Sequence, residues 1–237
     1  MMGTLVNTAA IVAGGLCGQL FGKALKSRHQ ETLTMACGVS TLFIGISGAM
    51  QYMLHNASLP GGGAMLVVAC LALGGLIGEL IDIESGFERF GEWLKVKTGN
   101  AKDQGFVNAF VTASLTVCIG AMAVVGSIQD GLTGDWSTLG AKSILDLIII
   151  MVMTCSLGRG CLFSEIPVLL LEGGMTLLAT AIKPLMTDLA MGYLSLVGSV
   201  LIFCVGMNLV WGKKVRVANL LPALVLAVAA AFLPIQF

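Results

Sequence analysis

TGDWSTLGAKSILDLIIIMVM, residues 133–153, opens as a polar loop and closes as uninterrupted hydrocarbon. A bilayer core of about 30 Å asks a crossing helix for roughly 20 residues of this kind. Inside the run stand two charges, Lys142 and Asp146, four residues apart and so on one face of a helix. Charges at such depth are costly and belong to a bundle interior or a hydrated path. This stretch therefore decides the class of fold and raises the question of function.

The remainder of the chain agrees. It is 57% hydrophobic and 11% charged, with a mean hydropathy of +0.94, whereas a soluble domain is roughly 25% charged. The formal net charge is zero, so nothing in the composition points to a nucleic-acid partner. There are 31 glycines in 237 residues, a number suited to helices that approach closely within lipid. Residues 1–237 read as a single all-α, polytopic integral membrane domain with the lipid bilayer as its first partner. The opening segment lacks a basic region before it, and Lys23, Lys26 and Arg28 follow it, which fits a transmembrane helix better than a cleaved signal. Seven cysteines lie scattered without a C-x-x-C pair and read as small buried hydrophobes.

Eight spans are expected, over 4–22, 33–54, 63–83, 106–128, 139–158, 164–182, 190–211 and 217–236. Between the third and fourth, Ile83, Phe87, Phe90, Trp93 and Leu94 recur at helical spacing within charged text, which predicts an interfacial amphipathic helix over 83–97. If the spans alternate, Lys23, Lys26, Arg28, Arg89, Lys95, Lys97, Lys102, Arg159, Lys213, Lys214 and Arg216 all fall on one side. The opposite loops HNASLPGGG (55–63) and SIQDGLTGDWST (127–138) have no basic residue. The positive-inside rule then places both termini outside.

Two octets, AGGLCGQL (13–20) and LGGLIGEL (73–80), share Gly, Gly, Leu, Gly and Leu. A weaker echo links AGGLCGQLFGKALK (13–26) to EGGMTLLATAIKPL (172–185), and CGVSTLFIGISG (37–48) to VGSVLIFCVGMN (197–208). With the alternating topology this echo reads as a candidate inverted repeat with halves 1–83 and 160–237, a plan that places substrate at the repeat interface.

The polar residues within spans are the candidate sites. Lys142 and Asp146 can neutralise each other, and Asp146 is also a candidate ion ligand whose affinity Lys142 tunes. Gln129, Asp130, Asp135 and Ser143 gather at the same expected outer mouth, where carboxylates attract cations. Asp146 and Asp130 are the candidate sodium ligands. Glu172 lies about halfway across its span with no neighbouring compensation, and Thr176, Thr180 and Lys183 continue a stripe down its face. A second stripe, Asn108, Thr112, Thr116 and Gly120, reads as a packing surface. Asn208 and Asn219 are candidates for satisfying backbone freed near helix ends. No nucleophile elbow, His cluster, P-loop or cofactor motif is present, so nothing argues for an enzyme.

The stretches GAMAVVGSIQDGLTGDWSTLGAKSILD (120–146), PVLLLEGGMTLLA (167–179) and KVRVANLLPALVLA (214–227) resemble the YqgA-like bacterial membrane proteins, domain of unknown function 554. GTLVNTAAIVAGGLCGQLFGK (3–23) and GGLIGELIDIE (74–84) fit as well, so the resemblance spans essentially the whole chain. It implies a sodium channel or pump of the bacterial cytoplasmic membrane. It carries no established site residues over, and shifts weight from Glu172 to the 130–146 region.

The function expected is therefore transport of a small cation, sodium or protons, through a polar path at the outer end of the fourth and fifth spans. A transporter of a small organic solute such as an amino acid, and a non-transporting membrane scaffold, are the alternatives. Gly-rich helix faces also make a homodimer a candidate assembly.

Overall fold

In the computed structural model, residues 1–55, 63–119 and 121–233 are described. Most of the HNASLPGGG loop, Gly120 and the end of the last expected span (234–236) lie outside them. Among the described residues there is no strand. The helices are α1 (Met2–Ala24), α2 (Ser27–His55), α3 (Ala64–Ile81), α4 (Ile83–Lys97), α5 (Phe106–Cys118), α6 (Ala121–Thr133), α7 (Ser137–Leu157), α8 (Glu165–Leu177), α9 (Ala179–Ile182), α10 (Asp188–Trp211) and α11 (Pro222–Ala230).

Six stretches are long and apolar enough to cross a bilayer: Met2–Gly22, Arg28–Leu54, Ala64–Ile81, Ser137–Leu157, Arg159–Leu177 and Asp188–Trp211. The expected fourth span is broken instead into α5 and α6, bent by 62°, and makes a seventh crossing if taken as one. The expected eighth is a 3-10 turn, Val217–Leu220, followed by the nine-residue α11. Pro222 explains that offset, because a proline lacks the N–H that a helix interior needs and so sits in the first turn. The amphipathic helix over 83–97 has the expected bounds; its Leu94 is buried, and Phe90 stands 5.8 Å from the Phe110 ring.

The chain divides into two compact units. The first comprises Met1–Cys37, Gly86–Cys118 and Met122–Ile182. Its axis is the pair α1 and α7, where Gly14 faces Leu147, Gly18 faces Met151 and Thr154, and Gly22 faces Cys155. Both numbers rise together, so the two helices run parallel. Without a Cβ at these glycines, backbone rests on backbone, the packing lipid-embedded helices favour. α8 runs opposite to α1, since Thr4 meets Thr176 while Gly15 meets Leu162. α5 begins beside Leu157 and Gly160, at the end where α1 finishes, and α6 ends at Asp130 and Gly131, beside Gly3 and Thr176. The bent pair therefore passes from one end of the unit to the other.

The second unit comprises Gly38–Ser85, Ile119–Ala121 and Lys183–Phe237. α2 from Gly38 onward lies antiparallel to α10, with Gly38, Gly45 and Gly48 against Val210, Phe203 and Ser199. In α3, Gly74 and Gly78 press on the backbone of Ala223 and Asn219. The two octets thus do the same job in their respective units. Around them Leu66, Tyr193, Leu196, Val197 and Ala227 form a core. Asn219 accepts from the Glu84 amide at 2.7 Å and donates to Glu79, and Asn208 accepts from the amides of Lys214 and Val215. Both asparagines therefore serve backbone at helix ends.

In the first unit the usual distribution of polarity is reversed. Leu20, Ile144 and Leu170 are 63–70% exposed, while Asn7, Lys142, Asp146 and Glu172 are at most 6% exposed. Apolar outside and charged inside is stable only where the surroundings are hydrocarbon.

Candidate functional site

The site forms where α1, α7 and α8 meet. α7 holds Lys142 and Asp146 one turn apart, and the two are ion-paired. The antiparallel α8 brings Glu172 to the same level, with Lys142 Nζ 3.3 Å from Glu172 Oε1. One ammonium thus serves two carboxylates. Asn7 of α1 closes the ring: its side-chain amide donates to Asp146 Oδ2 at 3.0 Å and to Glu172 Oε1 at 2.9 Å. Because both partners are acceptors, the NH2 group must face them, and this fixes the Asn7 rotamer. Asn7 Oδ1 then points away, buried and without a hydrogen-bond partner, as is Glu172 Oε2. Above this layer Thr4 and Thr176 hydroxyls pair at 3.2 Å.

The electrostatics follow from counting. Lys142 contributes one positive charge, Asp146 and Glu172 two negative ones, so the fully ionised cluster carries one uncompensated negative charge. An unpaired charge in such surroundings is prohibitive. The cluster is chemically complete only with one more positive charge, a proton on a carboxylate or a bound monovalent cation. The two free oxygens, Asn7 Oδ1 and Glu172 Oε2, are hard ligands of the type that sodium accepts.

The other expected site residues are distributed elsewhere. Asp130 is buried and accepts from the Gly3 amide at 2.9 Å, with the Met1 amino group 2.7 Å from the same oxygen. Gln129 accepts from the Thr138 hydroxyl at 2.7 Å. Ser143 donates to the Gly140 carbonyl at 2.7 Å and faces a cleft of about 570 Å³ with Asp135, Trp136 and Ile144. Asp135 is exposed and accepts from the Ser137 amide at 3.0 Å; the Ser137 backbone and side chain hold its carboxyl below the usual carboxylate range. The expected acidic mouth is therefore three separate places, and only Asp146 belongs to the charged cluster. The Glu172 stripe stops at Thr176, because α8 ends at Leu177 and Thr180 is exposed. Asn108 in the other stripe is also exposed, and Gly120 lies outside the described residues.

A family model for a protein of unknown function, DUF554, matches residues 2–232. The chain belongs to the DUF554 family. It is 28% identical over 232 residues to the uncharacterised membrane protein YdfK of Bacillus subtilis, covering 98% of this chain and 96% of that one. It is 32% identical over 240 residues to the uncharacterised protein YqgA of Escherichia coli, covering 96% and 94%. No solved structure is detectably similar. A multi-pass membrane protein follows for this DUF554 chain from its helices and its relatives alike.

Sequence reasoning missed Asn7 and Thr4, which sit in a segment otherwise read only as a span. Glu172, without compensation from its chain neighbours, is paired across helices with Lys142 and Asn7. The available signal was the lone amide in LVNTAAIV, residues 5–12: Asn is itself a residue that needs partners in lipid.

Proposed function

We propose that this DUF554 protein transports a small cation, sodium or protons, across the bacterial inner membrane, with both termini outside, the apolar Val217–Ala230 segment completing the last pass. One observation carries the reading: two buried carboxylates share one lysine within the span, and Asn7 Oδ1 and Glu172 Oε2 of the same cluster have no hydrogen-bond partner. A purely structural ion pair needs one carboxylate, not two. The extra negative charge is where the cargo binds, and Lys142, bridging Asp146 and Glu172, is the tethered positive charge that an incoming cation competes with. Glu172 and Asn7 join Asp146 as the binding groups.

The test is sodium uptake into sealed proteoliposomes by the unmodified protein, Asp146→Asn, Glu172→Gln and empty liposomes. Either substitution is expected to lower flux tenfold or more while the protein remains monodisperse. Normal flux through both variants would overturn the site. Absence of flux from folded unmodified protein, with sodium or proton gradients alike, would overturn the function.

A further inference from the structure

We propose that the cleft where α1 and α7 end is the second mouth of the cation path. One apolar layer, Ile11, Ile150 and Val168, closes it off from the charged cluster. The inference rests on the cation reading above and adds the direction and the barrier of the path.

The register of the helices places the layer. Asn7 and Asp146 bond across the parallel pair at a sequence separation of 139, and Ile11 and Ile150, one turn further along each helix, have the same separation. On the antiparallel α8 the residue one turn further in the same direction from Glu172 is Val168. All three side chains are completely buried. The opposite side of the cluster is covered by the Thr4–Thr176 hydroxyl pair, a polar contact that exchanges readily for water. The two sides of the site are therefore unlike: a hydroxyl pair above, and below it three apolar side chains with the buried Ser114 of α5 beside them.

One turn beyond the apolar layer polarity returns. Thr154 is 3% exposed, its hydroxyl lies beside the buried Cys161 thiol, and it lines a cleft of about 380 Å³ together with Gly18, Gln19, Gln30, Ser156 and Arg159. At roughly 30 Å³ per water, that space holds an ion with its first hydration shell. Both α1 and α7 finish here, so the negative ends of two parallel helix dipoles converge on it, while Arg159 at the rim is solvent-exposed. A hydrated cation is the ligand this cleft suits, and Thr154 is the polar residue of α7 one turn beyond the layer. Short apolar constrictions of this kind gate by excluding water.

The experiment is sodium flux in proteoliposomes for the unmodified protein, Ile150→Ala, Val168→Ala, Thr154→Val, and Asp146→Asn combined with Ile150→Ala. Opening the layer by either alanine should raise flux fivefold or more. Thr154→Val, which keeps the shape and removes the hydroxyl, should lower it threefold or more. The double variant should lose the gain if ions still pass through the cluster. Flux at the unmodified level in both folded alanine variants, alongside an inactive Asp146→Asn, would overturn the gate and leave cation transport standing. Flux absent from every variant would overturn the cation reading itself.

Discussion

Lys142 is the residue on which the charged layer depends, because it alone is positive there. Removing it as Lys142→Met leaves two buried carboxylates facing Asn7, and breaking a buried pair in this way costs about 3–5 kcal/mol. The expected outcome is a large fall in melting temperature in detergent at neutral pH. Glu172→Gln is expected to act in the opposite sense. It leaves a balanced Lys142–Asp146 pair, so it should raise stability by about 1–3 kcal/mol at low sodium even as it removes transport. That gain should shrink as sodium is added, since a bound ion stabilises only the protein that holds it. A Glu172→Gln melting temperature below that of the unmodified protein at all sodium concentrations would show that the carboxylate contributes to the fold rather than to binding.

At the scale of helices, glycine position matters more than glycine number. A Cβ at Gly18 would collide with the Met151 carbonyl and Thr154, and one at Gly14 with the Leu147 carbonyl, so neither helix could keep its separation. Gly18→Ala is expected to cost about 1–3 kcal/mol, as overpacking does. Gly174, in the superficially similar EGGM stretch of α8, meets nothing within 4 Å. Gly174→Ala should be neutral or stabilising by about 0.5–1 kcal/mol, the helix-interior advantage of alanine over glycine. Thermal melts of the two variants side by side decide between a specific seam and a general preference for small residues. Equal effects would remove the seam as the reason for the glycines.

For the whole molecule the question is how often the chain crosses the membrane. The bend between α5 and α6 would suit either a broken span or a re-entrant loop, and the contacts at its two ends favour the broken span. Reporters inserted in the 98–105 connection and in the 134–136 connection should therefore report opposite sides of the membrane. Reports from the same side would make α5 and α6 a re-entrant pair. The positive-inside reading adds that the 98–105 connection, with Lys102 and the Lys97 just before it, is the cytoplasmic one.

Apolar length and basic loops are local properties, so the sequence by itself determined the membrane class, most of the helices, the amphipathic 83–97 segment and the family. The Lys142–Asp146 pairing was legible for the same reason: four residues on one helix are neighbours whatever surrounds them. Which third and fourth groups join that pair depended on how α1 and α8 dock against α7, and nothing in a linear text records that 7, 146 and 172 share a level. Only the tertiary structure could therefore bring Asn7 and Glu172 to Lys142, separate Asp130 and Asp135 from Asp146, and place Ile11, Ile150 and Val168 in one layer. The physical reason is that helix register is set by where backbones can touch, here at Gly14, Gly18 and Gly22, and register in turn decides which buried charges meet.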